Sequence, residues 1–368
     1  MLFRTATALI VAASAYCLPY CLAALFSHHR RRCKGLTVIR FDLLEARDAN
    51  ELNRLRHALS TDGFVHLVEH GTCPAPVLAA ARAFFALPAD IKARFSHPRK
   101  GFVPVNGCVN AVRPPALHEK FSCGRVSGVD RTDPYYCPYD SSPYGSVEEA
   151  QLYFGDENIF PDEVAAPCFQ ALYEGYYEAM EALVRSLHAA IAISLGLDEH
   201  FFEAALAKHV TNLAALHYPG GVAEADNLRV KPHTDPTTLT ILAHEGGDAS
   251  GLQVLAHTDD LTDRWVDVGR HADALVVNVG DLLKFWTNGH LTSTRHRVKG
   301  CMEPRLSLVY FCNPGYDTWI EAPPALCPHG PRARFVPFRS GDRSHFAQQA
   351  RDQQGLPDRQ LLSKRRER

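Results

Sequence analysis

Residues 233–243 of this chain read HTDPTTLTILA, in which a polar triplet is followed by a short apolar run typical of a β-strand. Similar apolar segments recur between residues 210 and 311, separated by Gly, Pro and the turn-forming pair Asn288-Gly289. They predict strands at 213–218, 237–243, 252–255, 274–279, 282–287, 291–298 and 306–311. Short strands in such close succession indicate an all-β sandwich or barrel in this part of the chain.

The half of the chain before these strands mixes the two kinds of secondary structure. Apolar alternation predicts strands at 36–41 and 63–68. Apolar residues at helical spacing predict helices at 48–59, 74–87 and 165–195. We therefore predict a mainly β protein with flanking helices and an N-terminal α/β region.

Composition restricts the classes of function. The 368 residues include 39 Lys and Arg against 41 Asp and Glu, so the formal charge is −2 and no basic footprint for nucleic acid is present. The 11 cysteines are scattered, and none forms a C-x-x-C motif. An odd number of cysteines in a long chain does not suggest a disulfide framework, so we expect a reducing compartment.

The N-terminal segment 1–34 allows three interpretations. Residues 6–26 carry no charge, and Arg30, Arg31, Arg32 and Lys34 follow them. That arrangement suits a membrane anchor that leaves the body of the protein in the cytosol. It also suits a cleaved signal ending at residues 13–15 (Ala-Ser-Ala), which would direct the protein to an organelle. The third interpretation is a wrongly assigned start codon.

The triplet His233-Thr234-Asp235 is the strongest candidate for chemistry. Residues i and i+2 of a strand share a face, so the imidazole and the carboxylate point into the same space. His296, near the end of the predicted strand 291–298, is the best third ligand. Two histidines and one carboxylate on one side of a metal are the arrangement of non-haem Fe(II) oxygenases. A zinc hydrolase could use the same three residues.

Arg305 and Ser307 form a second polar pair at i and i+2 spacing. A guanidinium and a hydroxyl that point together suit a carboxylate, because the guanidinium fork matches both carboxylate oxygens. Residues 298–304 suggest a hairpin connection, which would place Arg305 on the strand beside His296. A dicarboxylic 2-oxo acid could then chelate the metal at one end and meet Arg305 and Ser307 at the other.

The sequence resembles the iron(II)/2-oxoglutarate-dependent dioxygenases of the isopenicillin N synthase-like group over residues 37–340. The resemblance lies in motifs that occur in the family's order. They include 233–242 (HTDPTTLTIL), 251–254 (GLQV), 277–281 (VNVGD), 288–289 (NG), Ser293, 296–298 (HRV) and 305–307 (RLS). Upstream matches are 62–64 (DGF), 70–71 (HG), 84–88 (FFALP) and 158–161 (NIFP).

This resemblance implies a double-stranded β-helix, or jelly-roll, core. It also implies Fe(II) on His233, Asp235 and His296, and 2-oxoglutarate on Arg305 and Ser307. Tyr218 lies where many relatives place a tyrosine that contacts the co-substrate, although Leu216 replaces the Asn found before that tyrosine in many plant members. We interpret Asp281 as a turn residue and Ser293 as a packing residue, both outside the site.

The implied reaction hydroxylates or desaturates a small organic molecule with O₂ and releases succinate and CO₂. Ascorbate is a further candidate cofactor. Two alternatives stay open from the sequence. Isopenicillin N synthase and aminocyclopropane-carboxylate oxidase keep the Arg-x-Ser pair without consuming 2-oxoglutarate. A non-catalytic barrel that binds a small acid is the other.

The same interpretation divides the chain into regions and places it in the cell. The predicted regions are an anchor or targeting segment (1–34), an N-terminal dioxygenase region (35–165), a long core helix (166–207), the jelly roll (208–340) and a polar tail (341–368). We expect a cytoplasmic body with membrane attachment through residues 6–26, or an organellar protein after cleavage.

Overall fold

The structure is a computed structural model. It describes residues 35–97, 100–105, 118–126, 157–220, 228–245, 251–257, 263–269, 271–300, 303–327 and 333–341. The predicted anchor or targeting segment, most of residues 106–156, and nearly all of the polar tail lie outside these residues. Among the helices of the described residues, none is both long and apolar enough to cross a bilayer.

Strands dominate the second half of the chain, and helices are concentrated in the first. The strands are β1 (Thr37–Arg40), β2 (Phe64–Val68), β3 (Gly101–Val103), β4 (Glu119–Cys123), β5 (Asn212–Tyr218), β6 (Leu228–His233), β7 (Leu239–His244), β8 (Leu252–His257), β9 (Asp263–Asp267), β10 (Leu275–Val279), β11 (His296–Lys299), β12 (Arg305–Cys312), β13 (Trp319–Ile320) and β14 (Phe338–Arg339). The α-helices are α1 (Phe41–Glu45), α2 (Ala49–Thr61), α3 (Ala75–Phe85), α4 (Ala89–Ala93), α5 (Phe169–Ser194), α6 (Glu203–Ala207) and α7 (Asp281–Trp286), and Pro324–Leu326 form a 3₁₀ turn.

Two sheets build the core. The major sheet has eight strands in the order β1-β2-β10-β7-β12-β5-β4-β3, and the minor sheet has the order β6-β11-β8-β9. All pairs in these two sheets are antiparallel except β1 with β2. From β5 to β12 the chain passes from one sheet to the other at every step except between β8 and β9, which form a hairpin in the minor sheet, as in a jelly roll. The predicted fold class is therefore confirmed.

The outer face of the major sheet packs against the helices. Phe84 of α3 lies 5.3 Å from Phe121 of β4, and Tyr177 of α5 lies 5.2 Å from Tyr310 of β12, between ring centroids. These rings belong to one large buried apolar cluster. Because successive strand residues alternate in direction, the intervening residues of β12 face the other way, into the space between the sheets.

The two faces of the minor sheet differ in polarity. Its inner face joins an apolar cluster of Phe64, Leu252, Val254, Val276 and Val298. Its outer face carries a cross-strand network in which Arg297 bonds Gln253, Gln253 bonds Asp267, and Lys299 pairs with Asp267. The guanidinium of Arg297 also lies 4.3 Å from the ring centroid of Trp265.

The segment 282–287 corrects one prediction. It is not a strand, because Asp281–Trp286 form α7, whose apolar residues Leu282, Leu283 and Trp286 are buried at helical spacing. Asn288 and Gly289 do adopt positive φ, at 54° and 79°, but they follow this helix instead of joining two strands. The next strand is accordingly short and begins only at His296.

The elements predicted for the N-terminal half are present. The strands expected at 36–41 and 63–68 are β1 and β2, and the three expected helices are α2, α3 and α5. Their local apolar spacing reports the face that each element buries, so it could be interpreted without knowledge of the packing partner.

Candidate active site

Three side chains converge where the minor sheet meets the connection to β7. His233 ends β6, Asp235 follows it by two residues, and His296 begins β11 directly opposite His233. One ligand atom from each lies within 4.8 Å of the others. Nε2 of either histidine lies 3.5 Å from Oδ1 of Asp235. Among the described residues this is the sole such cluster of His, Cys, Asp or Glu side chains.

Backbone carbonyls orient both imidazoles. Nδ1 of His233 lies 2.8 Å from the carbonyl oxygen of Lys231, and Nδ1 of His296 lies 3.2 Å from that of Thr294. A carbonyl oxygen only accepts, so each Nδ1 carries the proton and each Nε2 keeps its lone pair. The two Nε2 lone pairs and Oδ1 of Asp235 therefore share one space, as metal coordination requires.

Asp235 is a buried anion. Burial alone would raise the pKa of its carboxyl, but His296 and His233 outweigh that effect and hold the pKa well below its usual range. Burial likewise would lower the pKa of His296, and the Asp235 carboxylate raises it above its ordinary value. The amide of Asn278 donates a 2.9 Å hydrogen bond to Oδ2 of Asp235, which leaves Oδ1 for the two histidines.

Asp281 forms hydrogen bonds with the loop that carries Thr234 and Asp235. The hydroxyl of Thr234 donates to Oδ2 of Asp281 at 2.8 Å, and the Asp281 amide donates to the carbonyl of Asp235 at 2.8 Å. Gly280 allows this approach, since a Cβ there would lie 2.1 Å from the carbonyl oxygen of Thr237. Asp281 therefore bridges the triplet to α7, and its interpretation as a simple turn residue was too narrow.

Sequence reasoning missed Asn278 and Asp281 as supporting residues. Both belong to the motif 277–281 that carries part of the family resemblance. The available signal was Asn278 itself, because it is the one polar residue in the fully buried strand β10. A buried amide needs hydrogen-bond partners, and here one partner is the carboxylate of Asp235.

Arg305 and Ser307 are not on the strand beside His296, which corrects the predicted hairpin. They begin β12, which lies in the major sheet between β7 and β5, whereas His296 lies in the minor sheet. The chain crosses from one sheet to the other between these strands. Such crossings are usual in a jelly roll, because both sheets must bury their inner faces against each other.

The strand register shows which way Ser307 points. Asn278, which contacts Asp235, pairs with Thr240 of β7. Four residues farther along β7, His244 pairs with Ser307. Positions paired across antiparallel strands share a face, as do positions an even number apart along one strand. Ser307 therefore faces the same interior as Asn278 and the metal-ligand cluster.

Arg305 and Tyr218 lie together on that interior face. They are paired across β12 and β5, and the guanidinium carbon lies 5.4 Å from the centroid of the tyrosine ring. Both residues are buried, as is Ser307. Within the described part of the chain, the Ser307 hydroxyl has no hydrogen-bond partner, which is unusual for a buried polar atom.

Two other histidines near the site have different partners. Nδ1 of His217 lies 2.7 Å from Glu119 on the outer face of the major sheet. Nε2 of His290 lies 3.2 Å from the carbonyl oxygen of Leu326. Neither belongs to the cluster. The ring of Trp286 packs against that of Phe202 at 5.1 Å between centroids.

Comparisons with known proteins agree with this geometry. Residues 209–314 match the family model of the 2OG-Fe(II) oxygenase superfamily, and residues 36–138 match the N-terminal model of non-haem dioxygenases in morphine synthesis. The chain is 31% identical to the 2-oxoglutarate-dependent dioxygenase htyE of Aspergillus rugulosus, over 69% of this chain and 78% of that protein. The chain belongs to the iron(II)/2-oxoglutarate-dependent dioxygenases.

Two further likenesses extend the comparison. Gibberellin 2-beta-dioxygenase 2 of Oryza sativa is 31% identical over 84% of this chain and 82% of that protein. The fold of this dioxygenase also matches the crystal structure of Neurospora crassa T7H in complex with alpha-KG and thymine. That match has a TM-score of 0.68 at 23% identity, and it covers 86% of this chain and 97% of the other.

Family membership decides the class of activity. This dioxygenase is an oxidoreductase that uses Fe(II) and 2-oxoglutarate to oxidise a small organic molecule. The zinc hydrolase and the non-catalytic barrel are therefore set aside. The donor set fits Fe(II), because two neutral imidazoles and one carboxylate on one side leave the opposite coordination positions open.

Proposed function

We propose that His233, Asp235 and His296 hold Fe(II), and that Arg305, Ser307 and Tyr218 hold 2-oxoglutarate. The observation that carries the proposal is the buried Ser307 hydroxyl on the major sheet, which faces the ligand cluster on the minor sheet. A dicarboxylic 2-oxo acid between the sheets would supply the missing hydrogen-bond partner. It would also bring its other end to the metal.

Each residue has a distinct task in this arrangement. The two Nε2 atoms and Oδ1 of Asp235 supply the protein ligands, and Asn278 keeps Oδ2 turned away. Arg305 neutralises the distal carboxylate and can bond both its oxygens. The Ser307 hydroxyl donates a hydrogen bond to the same carboxylate. The ring of Tyr218 lies against the guanidinium and limits the directions it can take.

The apolar interior protects this chemistry from water. Phe64 packs edge-on against the His296 ring at 5.5 Å between centroids. Phe64 also belongs to the apolar cluster that fills the space between the sheets. When Fe(II) is bound, it supplies the redox chemistry that couples decarboxylation of 2-oxoglutarate to oxidation of the substrate. An interior that excludes water prevents side reactions, so the oxidation takes place on the substrate.

An anaerobic titration tests the proposal. The metal-free full-length protein receives Fe(II) and then 2-oxoglutarate, and the visible charge-transfer absorption of the chelate is followed. We expect a saturable band in the unmodified protein. Arg305→Ala should need about 30- to 1000-fold more 2-oxoglutarate, because the lost charge-assisted bonds contribute about 2–4 kcal/mol. Arg297→Ala, on the outer face of the minor sheet, is the matched control.

Two results would contradict the proposal. An unchanged 2-oxoglutarate affinity in Arg305→Ala would place the co-substrate elsewhere. Stoichiometric iron without any band would show that the 2-oxo acid does not chelate the metal in this site. Turnover assays with and without ascorbate then test whether ascorbate acts as a cofactor, with hydroxylation and desaturation products distinguished by mass.

We infer a cytosolic catalytic body attached to a membrane through residues 6–26. The support is the uncharged stretch followed by four basic residues, which is the charge order that keeps the following chain in the cytosol. Cell fractionation of the full-length protein and of a form that begins at residue 35 tests this location. Recovery of both forms in the same fraction would contradict it.

A further inference from the structure

The formal charge of −2 conceals an uneven distribution of charge over the molecule. The strands β6 and β11 are adjacent at one edge of the minor sheet, and they contain four basic residues and no acidic residue. The basic residues are Arg229, Lys231, Arg297 and Lys299, and Arg295 directly precedes β11. The acidic residues of the sheet, Asp263 and Asp267, lie on β9 at the opposite edge. The β6–β11 edge of the minor sheet is therefore basic.

The basic side chains of this edge point to the outer face of the sheet. Val230 and Val298 pair across β6 and β11, and both pack on the apolar cluster between the sheets. Neighbouring residues of a strand point to opposite faces, so Lys231, Arg297 and Lys299 point outward. Lys231 is exposed, and the side chain of Lys299 is 39% exposed. These cations are therefore part of the molecular surface.

The opposite side of the molecule carries the other sign of charge. Helix α5 packs on the outer face of the major sheet through Tyr177. It carries three glutamates, Glu174, Glu178 and Glu181, against one arginine, Arg185. Both sheets lie between this helix and the outer face of the minor sheet. Such a separation of charge turns the minor sheet toward a negatively charged surface.

The segment before residue 35 joins the body of the protein beside the minor sheet. Leu36 packs against the apolar cluster that this sheet covers. Residues 27–34 connect it to the uncharged stretch 6–26. Eight residues of chain span at most about 28 Å, whereas four strands at a spacing of about 4.8 Å span only about 14 Å. An anchor at residues 6–26 would therefore keep the whole outer face of the minor sheet within reach of the bilayer.

Resting on the proposed attachment through residues 6–26, we propose that the β6–β11 edge of the minor sheet binds the anionic lipid headgroups of that membrane. Lys299 can exchange its partner Asp267 for a headgroup, because their ion pair is exposed on both sides and contributes little to stability. Each basic residue near an anionic bilayer strengthens binding about fivefold. Nucleic acid is the other polyanion that this charge could attract, and the position of the proposed anchor favours the membrane.

Vesicle binding of the full-length protein tests this surface. Vesicles of phosphatidylcholine alone report the anchor, and vesicles that also contain phosphatidylserine report the anchor together with the basic groups. We expect phosphatidylserine to strengthen binding of the unmodified protein, and high salt to remove this gain, because salt screens exposed charges. The double variant Lys231→Gln with Lys299→Gln should reduce the gain about 25-fold, or about fivefold for each lysine. Its binding to phosphatidylcholine alone should be unchanged.

Two further variants separate charge from packing. Lys231→Arg with Lys299→Arg keeps both charges and should keep the gain from phosphatidylserine. Arg56→Gln with Lys208→Gln removes the same number of charges from exposed positions outside the minor sheet, and it should also keep the gain. Thermal midpoints of all variants show whether each one is folded.

Two results of the vesicle experiment would overturn the lipid-binding surface. Equal binding of the unmodified protein to both kinds of vesicle is one. A gain that the double glutamine variant keeps is the other, because it would assign the effect to the basic residues between 30 and 34. Binding to duplex DNA that the same variant loses, without any gain from phosphatidylserine, would replace the membrane with nucleic acid as the partner.

The outcomes also separate this inference from the proposals on which it rests. Failure to bind phosphatidylcholine vesicles would contradict the anchor alone, and a phosphatidylserine-dependent binding that the double glutamine variant loses would then still assign the surface to β6 and β11. The charge-transfer titration decides the Fe(II) and 2-oxoglutarate sites independently of any vesicle.

Discussion

Asn278 donates a 2.9 Å hydrogen bond to Oδ2 of Asp235, so the carboxylate presents only Oδ1 to the histidines. The two residues belong to different elements, because Asn278 lies on β10 and Asp235 follows β6. The amide therefore ties the proposed metal site to the major sheet. The hydrogen bond should therefore affect metal affinity, whichever substrate the enzyme uses.

Asn278→Ala should weaken Fe(II) binding about 10- to 100-fold without abolishing it, because a supporting residue orients a ligand but is not one. Equilibrium titration with Fe(II) under argon, or with Mn(II) followed by paramagnetic resonance, measures the affinity. Asn53→Ala, on an exposed position of α2, is the matched control. Equal affinities in the two variants would show that the hydrogen bond does not support the metal site.

Ser307→Ala tests the hydroxyl separately from the arginine. Removal of one hydroxyl donor to a charged carboxylate should raise the dissociation constant of 2-oxoglutarate about tenfold, which corresponds to about 1.4 kcal/mol. Iron binding should stay unchanged, because Ser307 lies on the opposite sheet from the histidines. The charge-transfer titration measures both quantities, with Ser186→Ala, at a half-buried position of α5, as the control. Loss of Fe(II) binding in Ser307→Ala would contradict the assignment of Ser307 to the 2-oxoglutarate site.

Glu119→Gln should destabilise the fold far more than Glu199→Gln. Both carboxylates form ion pairs of similar length, 2.7 Å to Lys92 and 2.9 Å to Arg47. The Lys92 and Glu119 side chains are each only 10% exposed, whereas those of Arg47 and Glu199 are 40% and 44% exposed. Breaking the buried pair should cost about 3–5 kcal/mol, and breaking the exposed pair about 0–1 kcal/mol. Urea unfolding measures both.

The buried Lys92–Glu119 pair also predicts how the free energy of unfolding depends on pH. Burial alone would raise the pKa of Glu119, but His217 and Lys92 outweigh it and lower the pKa below its ordinary value. A carboxyl whose pKa is lowered by folding stabilises the protein above the unfolded pKa of about 4.3, and the contribution is lost as the pH falls below it. The difference in the free energy of unfolding between the wild type and Glu119→Gln should therefore become smaller as the pH falls. A difference that does not change with pH would contradict this prediction.

Buried histidines should make the metal-free protein sensitive to mild acid. Burial lowers the pKa of His66, His118 and His188 to about 4 each, whereas an unfolded histidine titrates near 6.5. Between these values the unfolded state binds more protons, so the free energy of unfolding falls as the pH decreases from about 6.5 to about 4. Each histidine contributes on the order of 1–3 kcal/mol across this window.

Urea unfolding in the presence of a chelator, repeated across this pH range, measures the effect. His188→Gln should flatten the pH dependence by up to one proton, and His57→Gln, which changes an exposed histidine, should leave it unaltered. A free energy of unfolding that stays constant from pH 7 to pH 4 would show that these imidazoles are protonated in the folded state.

Much of the fold was predictable because its signals are local. The two-residue alternation of β2 and β12, and the helical spacing of α2 and α5, report the buried face of each element without reference to its neighbours. The prediction failed at 282–287, where a short apolar run is compatible with either structure. Burial of Leu282, Leu283 and Trp286 against the helical layer favours a helix there.

The candidate site also has features that are local in sequence and features that depend on tertiary structure. The sequence by itself determined the residue types and spacings of His233, Asp235, His296, Arg305 and Ser307, since short motifs encode which side chains can act together. Only the tertiary structure decided that the two groups face each other from opposite sheets. Strand pairing depends on contacts between distant residues, and no local spacing specifies it.

The supporting residues depended on that tertiary structure entirely. Asn278 reaches Asp235 across 43 residues of chain, and Asp281 likewise bonds Thr234 from a distant part of the chain. Asn278 stands out as the one polar residue of β10, but its own segment does not show which residue it contacts. Its role arises from a partner brought close by the burial of two sheets against each other, which is a property of the whole chain.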